Sequence, residues 1–133
     1  MIESSFEAAF KKVVSPSGRR AYWRSWEFVD IWEEMVDEII NGYEWSLYEY
    51  EDEISVRDDL EKALESSSLN QFHDWSGLVR RTLAADNKLE DLLGRGAEIR
   101  DSEFWWHRRI PPHGGPDFVE DVKRIYGICL DTI

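Results

Sequence analysis

Two groups of carboxylates stand at spacings able to hold a cation: Glu33 and Glu34 with Asp37 and Glu38, and Glu49 with Asp52. Residues three and four apart on a helix share a face. Glu33, Glu34 and Asp37 from one helix and Glu49 and Asp52 from the next can therefore converge on one magnesium ion. Magnesium bridges substrate phosphates, so the chemistry is metal-assisted hydrolysis of a nucleotide. A second set, Glu103-x-x-x-His107 with His113 beyond it, offers two or three ligands to a transition metal if 103–107 is helical. A structural zinc site wants four closed ligands, and neither Cys129 nor His73 is tied to this spacing. A third set, His73 and Asp74 with Ser76, has the residue types of acid–base or nucleophilic catalysis. Neighbours on one helix point in different directions, so nucleophile, base and orienting acid are not assembled locally.

The carboxylate spacing resembles the motif of the MazG-type nucleotide pyrophosphatases, all-helical enzymes in which two adjacent glutamates and a third are followed on a later helix by Glu-x-x-Asp. The match covers residues 33–52, places Asp37 where that motif has a glutamate, and has no phosphate-reading bases beside it. It implies a magnesium cofactor, with Glu33, Glu34, Asp37, Glu49 and Asp52 as ligands, and a dimer that completes the pocket. The same acids also read as a solvated face, because acids are dense throughout this region.

That density is the dominant feature of the chain. Residues 27–65 hold fifteen of the 28 acidic residues and only two bases, Arg57 and Lys62, so the formal charge of −12 arises entirely there. Nine of the 18 aromatic residues fall between Tyr22 and Tyr50, which places an apolar face in the same segment. The charge argues against direct binding of a nucleic-acid backbone, which needs a basic footprint. It leaves a basic protein, a divalent metal or simple solubility. No run of about 18 apolar residues is present, and the first ten residues lack a signal peptide's basic and apolar blocks, so a cytoplasmic location without a membrane is expected. The single cysteine, Cys129, lies in the apolar tail Ile128-Cys129-Leu130, where a buried structural thiol is expected.

Seven tryptophans exceed what a core of this size needs, and Trp, Tyr and Arg anchor interfaces. Trp32 falls in a helical stripe and reads as core. Trp23, Trp45 and one of Trp105 and Trp106 are not buried by any pattern. These features describe a small acidic binding protein, of the kind of an immunity protein or antitoxin that blocks a cationic nuclease. Its expected partner-binding residues are Glu27, Asp30, Glu34, Asp37, Glu49, Glu51, Asp52 and Glu53 with Trp23, Trp45, Trp105 and Trp106, and no cofactor is expected. The magnesium-dependent hydrolase is the alternative. A self-associating scaffold, with Trp105 and Trp106 buried between subunits of a homodimer, is a third reading.

The elements that must position these residues are mostly helical. Hydrophobic residues make up 42% of the 133, which suits one folded domain spanning 1–133. Helical spacing runs over Ile2–Val14 and stops at Ser15-Pro16-Ser17-Gly18. Ser25 suits an N-cap, and Phe28, Trp32, Met35 and Ile39 form a stripe that Asn41-Gly42 ends. Residues 43–50 fit both strand and helix, with the helical spacing favoured because it continues through Arg57 to Leu64 and a break is expected at 53–55. The run from Phe72 to Leu93 fits two short helices or one with a kink. The run Phe104–Ile110 fits a final turn or a short strand, ended by the Pro111–Pro116 loop. Pro116 suits a first helical position, Phe118, Val122 and Ile125 face inward, and Gly127 caps the end. The expected fold is mainly α, a compact bundle of five or six helices, with a small β element left open near 43–50 and 104–110.

Overall fold

The computed structural model describes residues 4–133. Helix α1 (Ser5–Val14) starts where the Ser4 hydroxyl accepts the Glu7 N–H, and buries Phe6, Phe10 and Val14, one residue per turn. It ends at Ser15, whose backbone is left-handed, and a short 3-10 turn, Gly18–Tyr22, leads to α2 (Ser25–Gly42). The expected cap at Ser25 is displaced by one residue. Arg24 is the cap position, and its N–H donates to Glu27 Oε1 at 3.1 Å. Ser25 is instead the first helical residue. Its N–H and hydroxyl both donate to the Glu7 carboxylate, at 2.7 and 2.5 Å, which ties α1 to α2.

Helix α2 buries Phe28, Val29, Trp32, Met35, Val36 and Ile39, as its stripe requires, and turns out of the helix at Gly42 with φ +110°. Helix α3 (Leu47–Ile54) begins at Ser46, whose hydroxyl accepts the Glu49 N–H. Its start is also held by Asp121, which accepts the Leu47 N–H at 3.0 Å. Helix α4 (Val56–Leu64) follows after the expected break at Ser55, whose hydroxyl donates back to the Asp52 carbonyl. The ambiguous stretch thus runs helical from Leu47, because a cap and a distant carboxylate satisfy its first amides.

Helix α5 (His73–Leu93) is continuous over 21 residues. It lies along α2 in the same direction: Trp26 and Val29 share a hollow with Gly77 and Leu78, and Val36 and Asp37 share one with Ala84, Ala85 and Lys88. A single helical turn, α6 (Trp105–Arg108), precedes β1 (His113–Gly114), which pairs in parallel with β2 (Asp131–Thr132) across α7 (Pro116–Tyr126). The small β element therefore forms at 113–114 and 131–132, while 104–110 gives a helical turn and, at Arg109, one antiparallel bridge to Glu98. The prolines and glycines around residue 113 keep that segment extended, so it can be paired; the tail past Gly127 returns alongside it.

Among the described residues the buried side chains form one cluster, to which all six helices of eight or more residues contribute. Two expectations at the carboxyl end differ. Ile125 is exposed, and Phe118, Val122 and the half-buried Tyr126 face inward; both spacings fit a helix, and Tyr126 is drawn in by its hydroxyl, which donates to Glu51 and accepts from Arg100. Cys129 is exposed as well: the tail is extended, so Ile128 and Leu130 pack against the core and the residue between them points out. No helix among the described residues is long and apolar enough to cross a membrane.

Candidate functional site

The structure separates the acids of residues 27–65 into those that are satisfied within the chain and those that are not. Asp30 and Glu33 clamp Arg81 of α5, with Nη2 at 2.5 and 2.6 Å and Nε donating to Glu33 at 3.0 Å. Glu51 accepts from Arg100 at 2.7 Å and from the Tyr126 hydroxyl at 3.0 Å. Glu53 accepts the hydroxyl of buried Tyr43 at 2.5 Å, and Glu27 is spent on the start of α2. Asp52 offers its backbone carbonyl to Arg20 at 2.8 Å, leaving its carboxylate exposed.

What remains is a patch built by three consecutive segments. The last two turns of α2 contribute Glu34, Asp37 and Glu38, the connection 43–46 contributes Glu44 and Trp45, and the outer face of α3 contributes Tyr48 and Glu49 with Glu53 beside them. Glu34, Asp37, Glu38 and Glu44 have no ion-pair partner among the described residues. Trp45 is 52% and Tyr48 83% exposed. A hollow of about 320 Å³ opens between Asp37, Glu38, Asn41, Gly42, Glu44 and Trp45. The connection is fixed in place because the Tyr43 carbonyl accepts the Gly115 N–H at 2.8 Å. The approach is close: a Cβ on Gly115 would lie 3.0 Å from Glu44 Cα.

The electrostatics are those of crowded like charges. Partial burial holds the Glu38 carboxyl above the usual carboxylate range, and Glu53, Glu34 and Glu44 push it further in the same direction. Glu38 also sits near the negative end of α2, in a last turn that contains no base. An acid there opposes the helix dipole, a local choice that weakens the fold.

The alternative metal set is not gathered. Glu33 belongs to the Arg81 clamp, Glu34 and Asp37 face solvent, and Glu49 lies at the start of α3; among the described residues no three His, Cys, Asp or Glu side chains form a group able to hold a metal. The histidine set is divided likewise. His107 Nε2 meets Asp58 Oδ1 at 2.7 Å, and His113 Nε2 lies 2.9 Å from the Ile40 carbonyl. His73, Asp74 and Ser76 line a groove of about 440 Å³ with Glu7, Ser25 and Trp26, but the Ser76 hydroxyl donates to the His73 carbonyl and not to its ring.

Among the expected anchors, only Trp45 is freely available. Trp106 is buried under the Arg57 guanidinium, whose centre is 4.3 Å from the ring, and its indole N–H donates to Asp58 at 2.7 Å. Trp105 packs edge-on against Trp106, and Trp23 packs edge-on against Phe28. Burial between subunits is therefore not open to Trp106, which its own chain already covers. Sequence reasoning did not single out Glu38, Glu44 and Tyr48 as partner-facing. The available signal was the absence of any base from Asp37 to Asp52 around the end of a helix.

A larger cleft of about 610 Å³ lies between the Gly18–Tyr22 turn and α4, lined by Arg20, Asp52, Ser55, Asp58, Asp59 and Phe104 among others. Arg20 crosses it, donating to Ser55 Oγ at 3.0 Å and Asp59 at 3.3 Å. Its charges are largely paired internally, so it closes the fold. Comparison with protein-family models, with curated proteins and with solved structures finds no match for this chain.

Proposed function

We propose that this protein binds a basic protein partner through the patch Glu34, Asp37, Glu38, Glu44 and Glu49, with Trp45 and Tyr48 as its aromatic anchors. The observation that carries this reading is the uncompensated crowding around Glu38 at the end of α2, next to two exposed aromatic rings. Like charges held together cost stability, and a cationic partner relieves that cost on binding. Aromatic rings with a polar rim are how interfaces concentrate their affinity. The chemistry suits an immunity protein or antitoxin that occupies the phosphate-binding surface of a cationic nuclease. A cytoplasmic setting belongs to the same proposal; the exposed, unpaired Cys129 suits a reducing compartment.

The test is the association rate with a defined basic probe, poly-L-lysine, followed by tryptophan fluorescence at low and high salt. Glu38→Lys with Glu44→Lys should slow association by about tenfold or more at low salt, with the helical circular dichroism intact. Equal rates for the variant and the original chain would remove this patch from the interface.

A further inference from the structure

We propose that the hollow at the carboxyl end of α2 is a socket for one arginine side chain of the basic partner, and that it selects arginine over lysine. This rests on the binding function proposed above and names the group that the partner inserts. The hollow, about 320 Å³, is walled by the carboxylates of Asp37, Glu38 and Glu44, by Asn41 and Gly42, and by the half-exposed indole of Trp45. The three carboxylates have no ion-pair partner among the described residues. The helix end adds acceptors of its own, because the last four carbonyls of a helix have no partner within it. His113 Nε2 lies 3.2 and 2.9 Å from the Ile39 and Ile40 carbonyls, whereas those of Asn41 and Gly42 accept no hydrogen bond among the described residues. A base in the last turn ordinarily complements the negative end of a helix, and α2 has none. The hollow thus gathers carboxylate and carbonyl acceptors beside one aromatic face, and none of the residues lining it is a cation.

That set of groups matches a guanidinium better than an ammonium. A guanidinium carries five N–H donors in one plane, so it bonds acceptors along its edge while its face lies on an indole, and it is weakly hydrated. An ammonium is a compact, strongly hydrated point charge, and its gain here comes from charge alone. The protein already builds one such socket from its own residues. The Arg57 guanidinium lies 4.3 Å from the Trp106 ring centre, is held at two points by Asp86, and donates from Nη1 to Glu61. Indole and carboxylates there enclose an arginine. At the end of α2 the same groups stand together with no cation of this chain between them.

The experiment compares two peptides of equal charge, acetyl-Lys-Gly-Arg-Gly-Lys-amide and acetyl-Lys-Gly-Lys-Gly-Lys-amide, in NMR titrations of the whole chain at low salt. The arginine peptide should bind about tenfold more tightly, and should shift the Trp45 indole N–H and the Asn41 and Gly42 amides together. Trp45→Leu should bring the two peptides to equal affinity, with the helical circular dichroism intact. Trp26→Leu removes the exposed indole at the other end of α2 and should leave the preference for arginine in place. Equal affinity of the original chain for the two peptides overturns the socket, as does a preference that survives Trp45→Leu. Absence of binding by the arginine peptide overturns it equally. The acidic patch stands or falls separately, on the association assay with poly-L-lysine.

Discussion

Arg57 and Asp86, on α4 and α5, meet in a two-point ion pair at the centre of the protein, with Nε 2.9 Å from Oδ1 and Nη2 2.8 Å from Oδ2. The Trp32 indole N–H donates to the same Oδ1 at 2.9 Å, Glu61 accepts from Nη1 at 2.9 Å, and the Trp106 ring covers the guanidinium. The pair thus fixes α2, α4, α5 and α6 at one point. A buried charge with every partner present costs little, whereas one left alone is expensive. Asp86→Leu should therefore lower stability by about 3–5 kcal/mol, and adding Arg57→Met to it should recover most of the loss. Urea unfolding of the two single variants and the double variant checks this as a thermodynamic cycle.

Two glycines should respond in opposite directions to the same change. A Cβ on Gly96 would lie 1.8 Å from the Ile110 carbonyl oxygen, a backbone atom held by the pairing of 97–99 with 108–110, so Gly96→Ala must break that pairing. Gly77, inside α5, has no atom closer than 4.0 Å to such a Cβ. Gly77→Ala should stabilise by about 0.5–1 kcal/mol, and Gly96→Ala should destabilise by more than that in the opposite sense. Thermal melts of both variants decide it.

Stability should pass through a maximum on the acid side of neutrality. Burial raises the Asp59 carboxyl despite Arg20 and Lys62, and Glu38 is raised as described. A carboxyl with a raised folded pKa binds protons better folded than unfolded, so its effect is to stabilise as pH falls through the window above the ordinary carboxylate value. Asp121 works in the other direction. The Leu47 N–H and then Arg124 hold it low, and the stability it supplies is lost as pH falls through its folded value. The melting temperature should rise between pH 7 and about pH 5 and fall below about pH 4. A steady decline from pH 7 would contradict the crowding around Glu38.

Glu38→Gln should stabilise the isolated protein by a few tenths of a kcal/mol, and the part of the gain that comes from the like charges of Glu53, Glu34 and Glu44 should be lost at about 1 M salt. The same substitution should weaken binding to the basic partner. A gain wholly unchanged by salt would leave burial alone, without the neighbouring charges, as its cause.

Trp45→Ala should leave the melting temperature nearly unchanged, because half of the ring is already in water. It should nevertheless cost about 2 kcal/mol or more in partner affinity, as an interface anchor does. Equal affinity for the two proteins would restrict the anchor to Tyr48.

The helices were legible because their signals are local. The four-residue stripe of α1, the stripe of α2, Pro116 at the start of α7 and Gly127 at its end all act within one or two turns. Less of the candidate site could be read. The density of acids marked the region, but nothing near Asp30 or Glu33 in sequence showed that Arg81, about fifty residues on, would neutralise them. Equally, nothing near Trp106 indicated that Arg57 would cover it.

The sequence by itself determined a mainly helical protein, the ends of those helices that carry their own stop signals, such as α1 and α7, and an acidic segment running alongside an aromatic one, because periodicity, capping and charge are properties of neighbouring residues. The tertiary structure alone decided which carboxylates are left without a partner, that Trp45 and Tyr48 stay in water while Trp106 does not, and that the tail pairs with residues 113–114. Each of those outcomes depends on side chains and amides brought together from distant parts of the chain, and an ion pair or a strand pairing forms only when packing supplies the second member.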